Sequence, residues 1–137
     1  RSTRLPRAIR DVYKRQRDST WAVQHVLASG IRVLSYSGRR DFICNFLGNA
    51  AWIDELVWSS EQGFRKQAPL EDWFVPGRRE RAGQFRHYGN LTYVVIEEAG
   101  HFAPLDQPAS LLAMFQRWIH PAPGSIGRLD PVQLHAI

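Results

Sequence analysis

The stretch that decides the fold reads Leu91-Thr92-Tyr93-Val94-Val95-Ile96-Glu97-Glu98-Ala99-Gly100-His101. Its first six residues are mostly apolar or β-branched, which predicts a buried strand, and the polar residues that follow predict a tight loop. Gly100 removes side-chain bulk before His101, and Pro104 disfavours direct continuation into a helix. His101 is therefore expected on a short loop at the carboxyl end of a strand, the edge where open α/β sheets bind ligands.

A second strand followed by a carboxylate lies earlier in the chain. Residues 31–37 are rich in β-branched and aromatic side chains, which predicts a strand buried on both faces, and Gly38 lets the chain turn before Asp41. An acid followed later by a histidine, each on a loop after a strand, has the chain order of an α/β-hydrolase triad. A serine nucleophile would precede both residues, but no G-x-S-x-G motif occurs in the sequence.

Length and composition indicate one modest domain. The 137 residues are 44% hydrophobic, whereas a full hydrolase sheet usually needs a longer chain. No run approaches the roughly eighteen uncharged apolar residues of a membrane span, so we expect no membrane association. No apolar core of a signal peptide stands at the start, which predicts that the true N-terminus is absent or that the chain is not exported.

The formal net charge of +5 comes entirely from the first 18 residues, which hold seven Lys or Arg and two Asp. This segment has no amphipathic face and little aromatic content, so an arm that binds nucleic acid or anionic membranes is disfavoured. We predict that residues 1–17 are a disordered or foreign basic leader and that the interpretable protein spans residues 18–120. Residues 121–137 begin with prolines and a glycine and are predicted to form a loose tail.

Helices are predicted on either side of the first strand. Residues 18–20 can cap a short helix that ends at Gly30. Asn45 can cap a second helix, whose inward residues are predicted to be Phe46, Leu47, Ala50, Ile53, Leu56 and Val57. Residues 59–81 contain scattered glycines and prolines, which predicts an extended connection with at most one helical turn.

The second half of the sequence predicts a β-hairpin and a final helix. A Gly89-Asn90 turn joins residues 84–88 to the strand that leads to His101. Pro108 begins a helix that ends at Ile119, and its inward residues are predicted to be Leu111, Leu112, Phe115, Trp118 and Ile119. The basic cluster between the connection and the hairpin is predicted to be a solvated face; it consists of Arg78, Arg79, Arg81 and Arg86.

The strand-end loops supply the candidates for chemistry. A histidine that acts as a general base needs a group that orients Nδ1 and a nucleophile at Nε2, and Asp41 is the obvious orienting group for His101. A loop histidine with ordinary hydrogen bonds is the alternative explanation from spacing alone. The histidines lack the close paired spacings of zinc sites, and Cys44 is the only cysteine, so neither a metal, a cofactor nor an internal disulfide is expected.

Several segments resemble serine carboxypeptidases of the carboxypeptidase Y type. Residues 36–49, with Ala51-Trp52 after them, resemble the segment that carries that family's catalytic aspartate, and residues 99–108 are similar to its catalytic-histidine segment. Residues 88–93 fit the family's hairpin, and residues 114–119 resemble the helix that follows the histidine. The match covers about residues 26–120, with both motifs in the family's order and at its distance.

The resemblance implies the C-terminal part of an α/β-hydrolase fold (strand, helix, hairpin, helix) with an incomplete sheet. The family removes C-terminal residues from peptides and proteins through an acyl-enzyme, in vacuoles, lysosomes or the secretory pathway. By resemblance, Asp41 and His101 are two members of the catalytic triad. Cys44 falls where the family has a free cysteine that lines the substrate pocket, and Phe102 falls where the residue after the histidine helps to form the leaving-residue pocket.

The sequence also departs from the family pattern. The serine motif, the oxyanion-hole glycines and the groups that recognise the terminal carboxylate, all carried in the family's earlier half, do not occur. We therefore expect a fragment that is inactive alone and that needs a missing N-terminal half carrying the serine. Arg39 replaces an acidic or small residue, and Phe102 replaces a common methionine or glutamate.

Two alternatives and two smaller expectations remain. An esterase or acyltransferase of the same fold would use the same acid and base, and a non-catalytic binding module would use neither. Asn90-Leu91-Thr92 is a glycosylation acceptor triplet at the predicted turn, which matters only if the parent protein enters the secretory pathway. An exposed sheet edge and apolar face predict poor solubility of the isolated 137-residue chain.

Overall fold

The computed structural model describes residues 20–121, so the predicted leader at 1–17, residues 18 and 19 of the predicted helix cap and the tail beyond residue 121 lie outside them. The described part of the first helix, α1, covers residues 20–28. The elements after it are β1 (Val33–Gly38), α2 (Phe46–Asp54), α3 (Glu61–Gln67), β2 (Glu71–Phe74), β3 (Arg81–Tyr88), β4 (Leu91–Ile96), α4 (Ala103–Asp106) and α5 (Pro108–Ile119). No helix among the described residues is long and apolar enough to cross a membrane.

The four strands form one mixed sheet in the order β1-β4-β3-β2. β1 pairs with β4 in parallel, from Val33 opposite Leu91 to Gly38 opposite Ile96, and β3 is antiparallel to both β4 and β2. Because β1 and β4 run side by side in the same direction, the loops that follow them leave the sheet at the same edge. This topology puts the segments of Asp41 and His101 next to each other, as the sequence predicts.

β4 is the centre of the hydrophobic core, which explains its nearly unbroken apolar sequence. All six of its residues are buried, and alternate side chains enter separate clusters on the two faces of the sheet. The first cluster is built with β3, β2 and α5 and includes Trp73, Phe85, Val94, Ile96, Leu111 and Met114. The second is built with α1, α2 and α3 and includes Leu27, Ile53, Leu56, Phe64, Leu91, Tyr93 and Val95.

β1 is less buried than its composition predicts. Val33, Leu34 and Ser35 are half buried and Tyr36 is exposed, because β1 has a single partner strand, β4, within residues 20–121. Tyr36 packs edge-on against Phe115 of α5, with ring centroids 5.9 Å apart. The prediction of a strand buried on both faces is therefore wrong for the described structure.

The predicted cap and turn signals are confirmed. The Asn45 side chain accepts a hydrogen bond from the Gly48 N–H at 2.8 Å at the start of α2. Gly89 has a positive φ of 56° in the two-residue turn between β3 and β4, a conformation that glycine adopts without steric cost. The predicted inward face is only partly correct: within α2, Ile53 is buried and Leu47 is exposed, whereas the buried Leu56 and the exposed Val57 lie beyond the end of the helix at Asp54.

The prediction of an extended connection over residues 59–81 is wrong, because the segment contains helix α3 and strand β2. Gly63 does not break α3: its bare Cα lets the Tyr88 ring approach so closely that a Cβ would lie 2.1 Å from it. The prolines flank β2, at Pro69 and Pro76, and do not interrupt it. Trp73 of β2 is buried.

The last two helices differ from the prediction in two ways: α4 lies in a segment predicted to be a loop, and α5 buries a face that only partly matches the predicted one. Residues Ala103–Asp106 form the short helix α4, with Pro104 in its first turn, where a missing N–H costs no hydrogen bond. The bounds of α5 are as predicted, and its buried apolar residues are Leu111 and Met114. Three residues of the predicted inward face, Leu112, Phe115 and Ile119, are exposed instead.

The basic cluster is not a uniformly solvated face. Arg86 lies over the Phe64 ring at 4.4 Å and donates to the carbonyl oxygens of Phe64 and Ala68 at 3.0 and 3.2 Å. It also pairs with Asp54 at 3.0 Å, so one guanidinium holds α2 and α3 against β3. Arg81, in contrast, pairs with carboxylates at the edge of the sheet where β4 ends.

Candidate active site

Two loops in direct backbone contact form the candidate site. Past the ends of β1 and β4, the Arg39 N–H donates to the Ile96 carbonyl at 2.9 Å and the Arg40 N–H donates to the Ala99 carbonyl at 2.8 Å. A Cβ on Gly38 would lie 2.3 Å from the Gly100 carbonyl oxygen, so only glycine allows this approach. The pairing of β1 with β4 therefore continues into the loops that carry the predicted site residues.

Asp41 and His101 meet across these loops. The Nδ1 atom of His101 lies 2.9 Å from the Oδ2 atom of Asp41, which is hydrogen-bonding distance. Asp41 is 8% exposed, whereas 48% of the His101 side chain is exposed. The carboxylate therefore sits inside the edge of the sheet, and the imidazole reaches outward from it.

The second oxygen of Asp41 is fixed by its own loop. Oδ1 accepts hydrogen bonds from the backbone N–H groups of Ile43 and Cys44, each at 2.9 Å. Burial raises the pKa of Asp41, but the hydrogen bonds from Cys44, His101 and Ile43 together outweigh it and hold the pKa below its ordinary value. The carboxylate is thus kept ionised and oriented by donors on both oxygens.

This arrangement selects one tautomer of the neutral His101 ring. An ionised carboxylate has no proton to donate, so Nδ1 carries the hydrogen that it shares with Asp41. The lone pair is then on Nε2, at the outer side of the ring. An imidazole held in this way can accept a proton at Nε2, and the adjacent carboxylate stabilises the imidazolium that results.

A further hydrogen bond supports the histidine loop. Asp106 of α4 accepts from the Gly100 N–H through Oδ2 at 2.7 Å, one residue before His101. Phe102 stands edge-on to the His101 ring, with centroids 5.3 Å apart, and is exposed. The direction of His101 is therefore set by contacts immediately before and after it.

The structure brings four of the five predicted site residues together and places the fifth elsewhere. Ligand-type atoms of Asp41, Cys44 and His101 all lie within 4.8 Å of one another, and Cys44 is half buried. Phe102 adjoins them through the His101 ring. Asn90, the predicted glycosylation acceptor, precedes β4 and so lies at the opposite end of this strand.

The three clustered donors are a cysteine, a histidine and a carboxylate, which are residue types that also bind zinc. Here Nδ1 and Oδ2 already bind each other, and Oδ1 accepts two backbone N–H groups. A metal ion bound through these atoms would have to displace these bonds. The geometry therefore fits an acid and base pair better than a metal centre, and the absence of a metal remains a prediction.

Sequence reasoning missed several residues around this pair. Apolar side chains of both loops are exposed next to the polar pair, among them Phe42 and Ile43, with Phe42 94% exposed. The sequence could have indicated them, because two large apolar residues directly follow Asp41 in a loop, where polar residues are usual. Asn49 was also missed; its side chain donates to the Ser37 hydroxyl at 2.8 Å and to the Cys44 carbonyl at 3.0 Å, which braces the aspartate loop.

Comparisons with known proteins identify the family. The family model described as serine carboxypeptidase matches residues 7–121. Carboxypeptidase Y of Komagataella phaffii is 50% identical over 97 residues, which cover 71% of this chain and 18% of that protein. Serine carboxypeptidase-like 48 of Arabidopsis thaliana is 40% identical over 94 residues, which cover 69% of this chain and 18% of that protein.

A solved structure shares the fold. The crystal structure of Kex1, a prohormone-processing carboxypeptidase from Saccharomyces cerevisiae, matches with a TM-score of 0.60 and 32% identity over 69% of this chain and 20% of that chain. The present chain thus spans about a fifth of the length of the relatives that it matches. The prediction of an incomplete α/β-hydrolase sheet is confirmed. On its sequence motifs, its fold and the extent of the family match, the chain belongs to the serine carboxypeptidase family of hydrolases.

Proposed function

We propose that Asp41 and His101 are the acid and base of a serine carboxypeptidase triad whose serine lies in a part of the protein beyond this sequence. The observation that carries the proposal is the 2.9 Å contact between Nδ1 of His101 and Oδ2 of Asp41. Both residues follow adjacent parallel strands, at the sheet edge where α/β enzymes place their chemistry. This chain covers about a fifth of the relatives' length, so the serine can lie in the part of the protein that the chain does not cover.

The proposed reaction proceeds through an acyl-enzyme. Nε2 of His101 takes the proton of the serine hydroxyl as the serine oxygen attacks the carbonyl carbon of the last peptide bond. The imidazolium, stabilised by Asp41, then gives that proton to the nitrogen of the leaving amino acid as the carbon–nitrogen bond breaks. Water attacks the ester with His101 again acting as the base, which releases the shortened peptide and restores the serine.

Two neighbours of the pair are proposed to contact the substrate. Cys44 is half buried and lies within 4.8 Å of both catalytic side chains, in a position to line the substrate pocket. Phe102 is 70% exposed and edge-on to the His101 ring, where it can pack against the leaving C-terminal residue. The proposed partners are accordingly peptide and protein C-termini.

The likeness to carboxypeptidase Y and to a prohormone-processing carboxypeptidase supports a vacuole, a lysosome or the secretory pathway as the proposed compartment, and the state of Asp41 is compatible with mildly acidic solution there. A pKa held below its ordinary value keeps the carboxylate ionised in mildly acidic solution. Passage through the secretory pathway would also make Asn90 a glycosylation site, since it lies half exposed at the β3–β4 turn. An unchanged mobility of the secreted parent protein after glycosidase treatment would reject that assignment.

The test of the proposed function is turnover of a blocked dipeptide at acidic pH by the full-length protein that contains this chain. His101→Ala is expected to abolish turnover, and the exposed His120 provides a matched control, His120→Ala, with unchanged turnover. The 137-residue chain alone is expected to be inactive. Wild-type turnover in the His101→Ala protein would disprove the assignment, and a preference for ester or acyl-sugar substrates over peptides would indicate an esterase or acyltransferase.

A further inference from the structure

Two ion pairs connect the aspartate loop to the histidine loop. Arg39 Nε lies 2.8 Å from Glu97 Oε1, and its neighbour Arg40 pairs with Glu98. These pairs directly follow Gly38 and Ile96, the last paired residues of β1 and β4. The Arg40–Glu98 pair is mostly exposed and therefore screened by water, whereas only 14% of the Glu97 side chain is exposed. The inner pair is thus the one that can couple the loops.

Glu97 also connects the two loops to strand β3. Its Oε1 atom also lies 2.7 Å from an amino nitrogen of Arg81 on β3, so one carboxylate balances two guanidinium groups. Arg39 in turn donates to the Gln84 side chain and lies over the Phe46 ring at 5.1 Å. The Nε–H of Arg39 is not aligned on the Glu97 oxygen, so this contact is a charge pair and not a directional hydrogen bond.

The histidine loop needs such support because its backbone turns sharply. Glu98 has a φ of 55°, a left-handed conformation that is costly for a residue with a side chain. Residues held in this way keep their conformation only when surrounding contacts impose it. Glu97 is the residue before the turn, and its backbone N–H also donates to the Ala82 carbonyl at 2.9 Å.

We propose that Glu97 is a positioning residue for the triad: by binding Arg39 and Arg81 together, it holds the histidine loop at the distance at which His101 reaches Asp41. The proposal rests on the proposed function, since it assigns a role in the same site. Glu97 touches neither substrate nor the reacting atoms, and it acts through the loop that begins beside it. Arg39, which departs from the family pattern, supplies the matching charge on the aspartate loop.

The test compares variants of the full-length protein with a blocked dipeptide substrate. Glu97→Gln keeps the shape of the side chain but removes its charge. Because the histidine loop is then less firmly held, His101 is expected to shift by about 1 Å. The variant should therefore show kcat lowered roughly tenfold to a hundredfold and KM within about twofold of wild type. Arg39→Met is expected to behave in the same way. Arg39→Lys keeps the charge that faces Glu97 but loses the guanidinium contacts with Gln84 and Phe46, so it should retain clearly more activity than Arg39→Met.

Arg40→Met is the matched control, since it removes the adjacent, exposed ion pair by the same substitution. It should leave kcat within about twofold of wild type. The rate of inactivation by a serine-directed phosphonofluoridate should fall in parallel with kcat in Glu97→Gln and Arg39→Met, because it reports activation of the nucleophile. A purely structural role would lower the melting temperature without changing this rate in the folded protein.

The outcomes separate the two proposals. Wild-type kcat and inactivation rate in folded Glu97→Gln, or an equal loss in Arg40→Met, would refute the positioning role. If Glu97→Gln does not fold, the contrast between Arg39→Met and Arg39→Lys decides, and equal activity of these two variants refutes it. His101→Ala is measured in the same series. Full activity of that variant refutes the proposed function itself, which is a different result.

Discussion

Replacement of Asp41 by asparagine tests the candidate site at a single atom. In the wild-type protein, Oδ1 accepts from two backbone N–H groups, of Ile43 and Cys44, and Oδ2 faces Nδ1 of His101. Only an oxygen can accept the two N–H groups, so the side chain of Asp41→Asn must place its oxygen there and its NH2 group opposite His101. The NH2 group then donates to Nδ1, and the ring proton moves to Nε2.

The expected loss follows from this exchange of tautomers. A proton on Nε2 removes the lone pair that the serine hydroxyl needs, and the equivalent change in a serine protease triad lowers kcat about 10⁴-fold. That factor corresponds to about 5 kcal/mol of transition-state stabilisation. Asp41→Ala leaves the ring free to adopt either tautomer, so it should be no less active than Asp41→Asn, although it also leaves two N–H groups without their acceptor.

The assay is kcat/KM of the full-length protein for a blocked dipeptide at acidic pH, combined with ¹⁵N NMR of the histidine ring nitrogens. The NMR spectrum of Asp41→Asn should show the His101 proton on Nε2. Glu80→Gln, in the loop before β3, is the control for the same acid-to-amide change and should stay within about twofold of wild type. Activity of Asp41→Asn within about tenfold of wild type, or a proton still on Nδ1, would refute the inferred hydrogen-bond pattern.

Three further predictions concern the supports of the site and the fold. The pKa of Asp41 is depressed in the folded state, so its contribution to stability is present above its unfolded pKa of about 3.9 and is lost as pH falls through the folded pKa. The difference in melting temperature between wild type and Asp41→Asn should therefore shrink below about pH 4; a constant difference down to pH 2 would contradict it. Asp106→Ala should lower kcat about tenfold because Gly100 loses its acceptor, whereas Asp106→Asn keeps an oxygen there, and equal kinetics of the two would argue against this support. Arg86→Met should lower the free energy of unfolding by about 2–4 kcal/mol in urea titrations, through lost hydrogen bonds to two buried carbonyl groups, with the exposed Arg79→Met unchanged as its control.

The sequence predicted those parts of the fold that depend on local signals. The apolar run of β4, the Gly89 turn and the Asn45 cap each act within a few residues, and all three are confirmed. The proximity of Asp41 and His101 could also be predicted, because two strands in a parallel pair must end at the same edge of the sheet. Local signals and one topological rule therefore sufficed to locate the candidate site.

Other features depend on partners that a single sequence does not reveal. Met114 is buried and Leu112 is exposed because α5 packs on one particular face of the sheet, which the helical pattern alone does not select. The ion pair between Arg39 and Glu97 joins residues far apart in the chain, and neither residue carries a local signal of it. The packing of Gly63 against the Tyr88 ring is a tertiary contact, so the glycines of residues 59–81 do not reveal that helix α3 forms there.

The two catalytic candidates differ in burial, so the pair has a fixed inner side and an exposed outer side. Asp41 is buried, and three hydrogen bonds from its own loop and from His101 hold its orientation within residues 20–121. The His101 ring is half exposed and flanked by the exposed Phe102, so its outer side is open to the proposed serine nucleophile. Cover from a nucleophile and substrate would lower the local dielectric and strengthen the attraction between the carboxylate and the imidazolium. The pair is thus preorganised on its inner side, and its electrostatic effect increases when the outer side is closed.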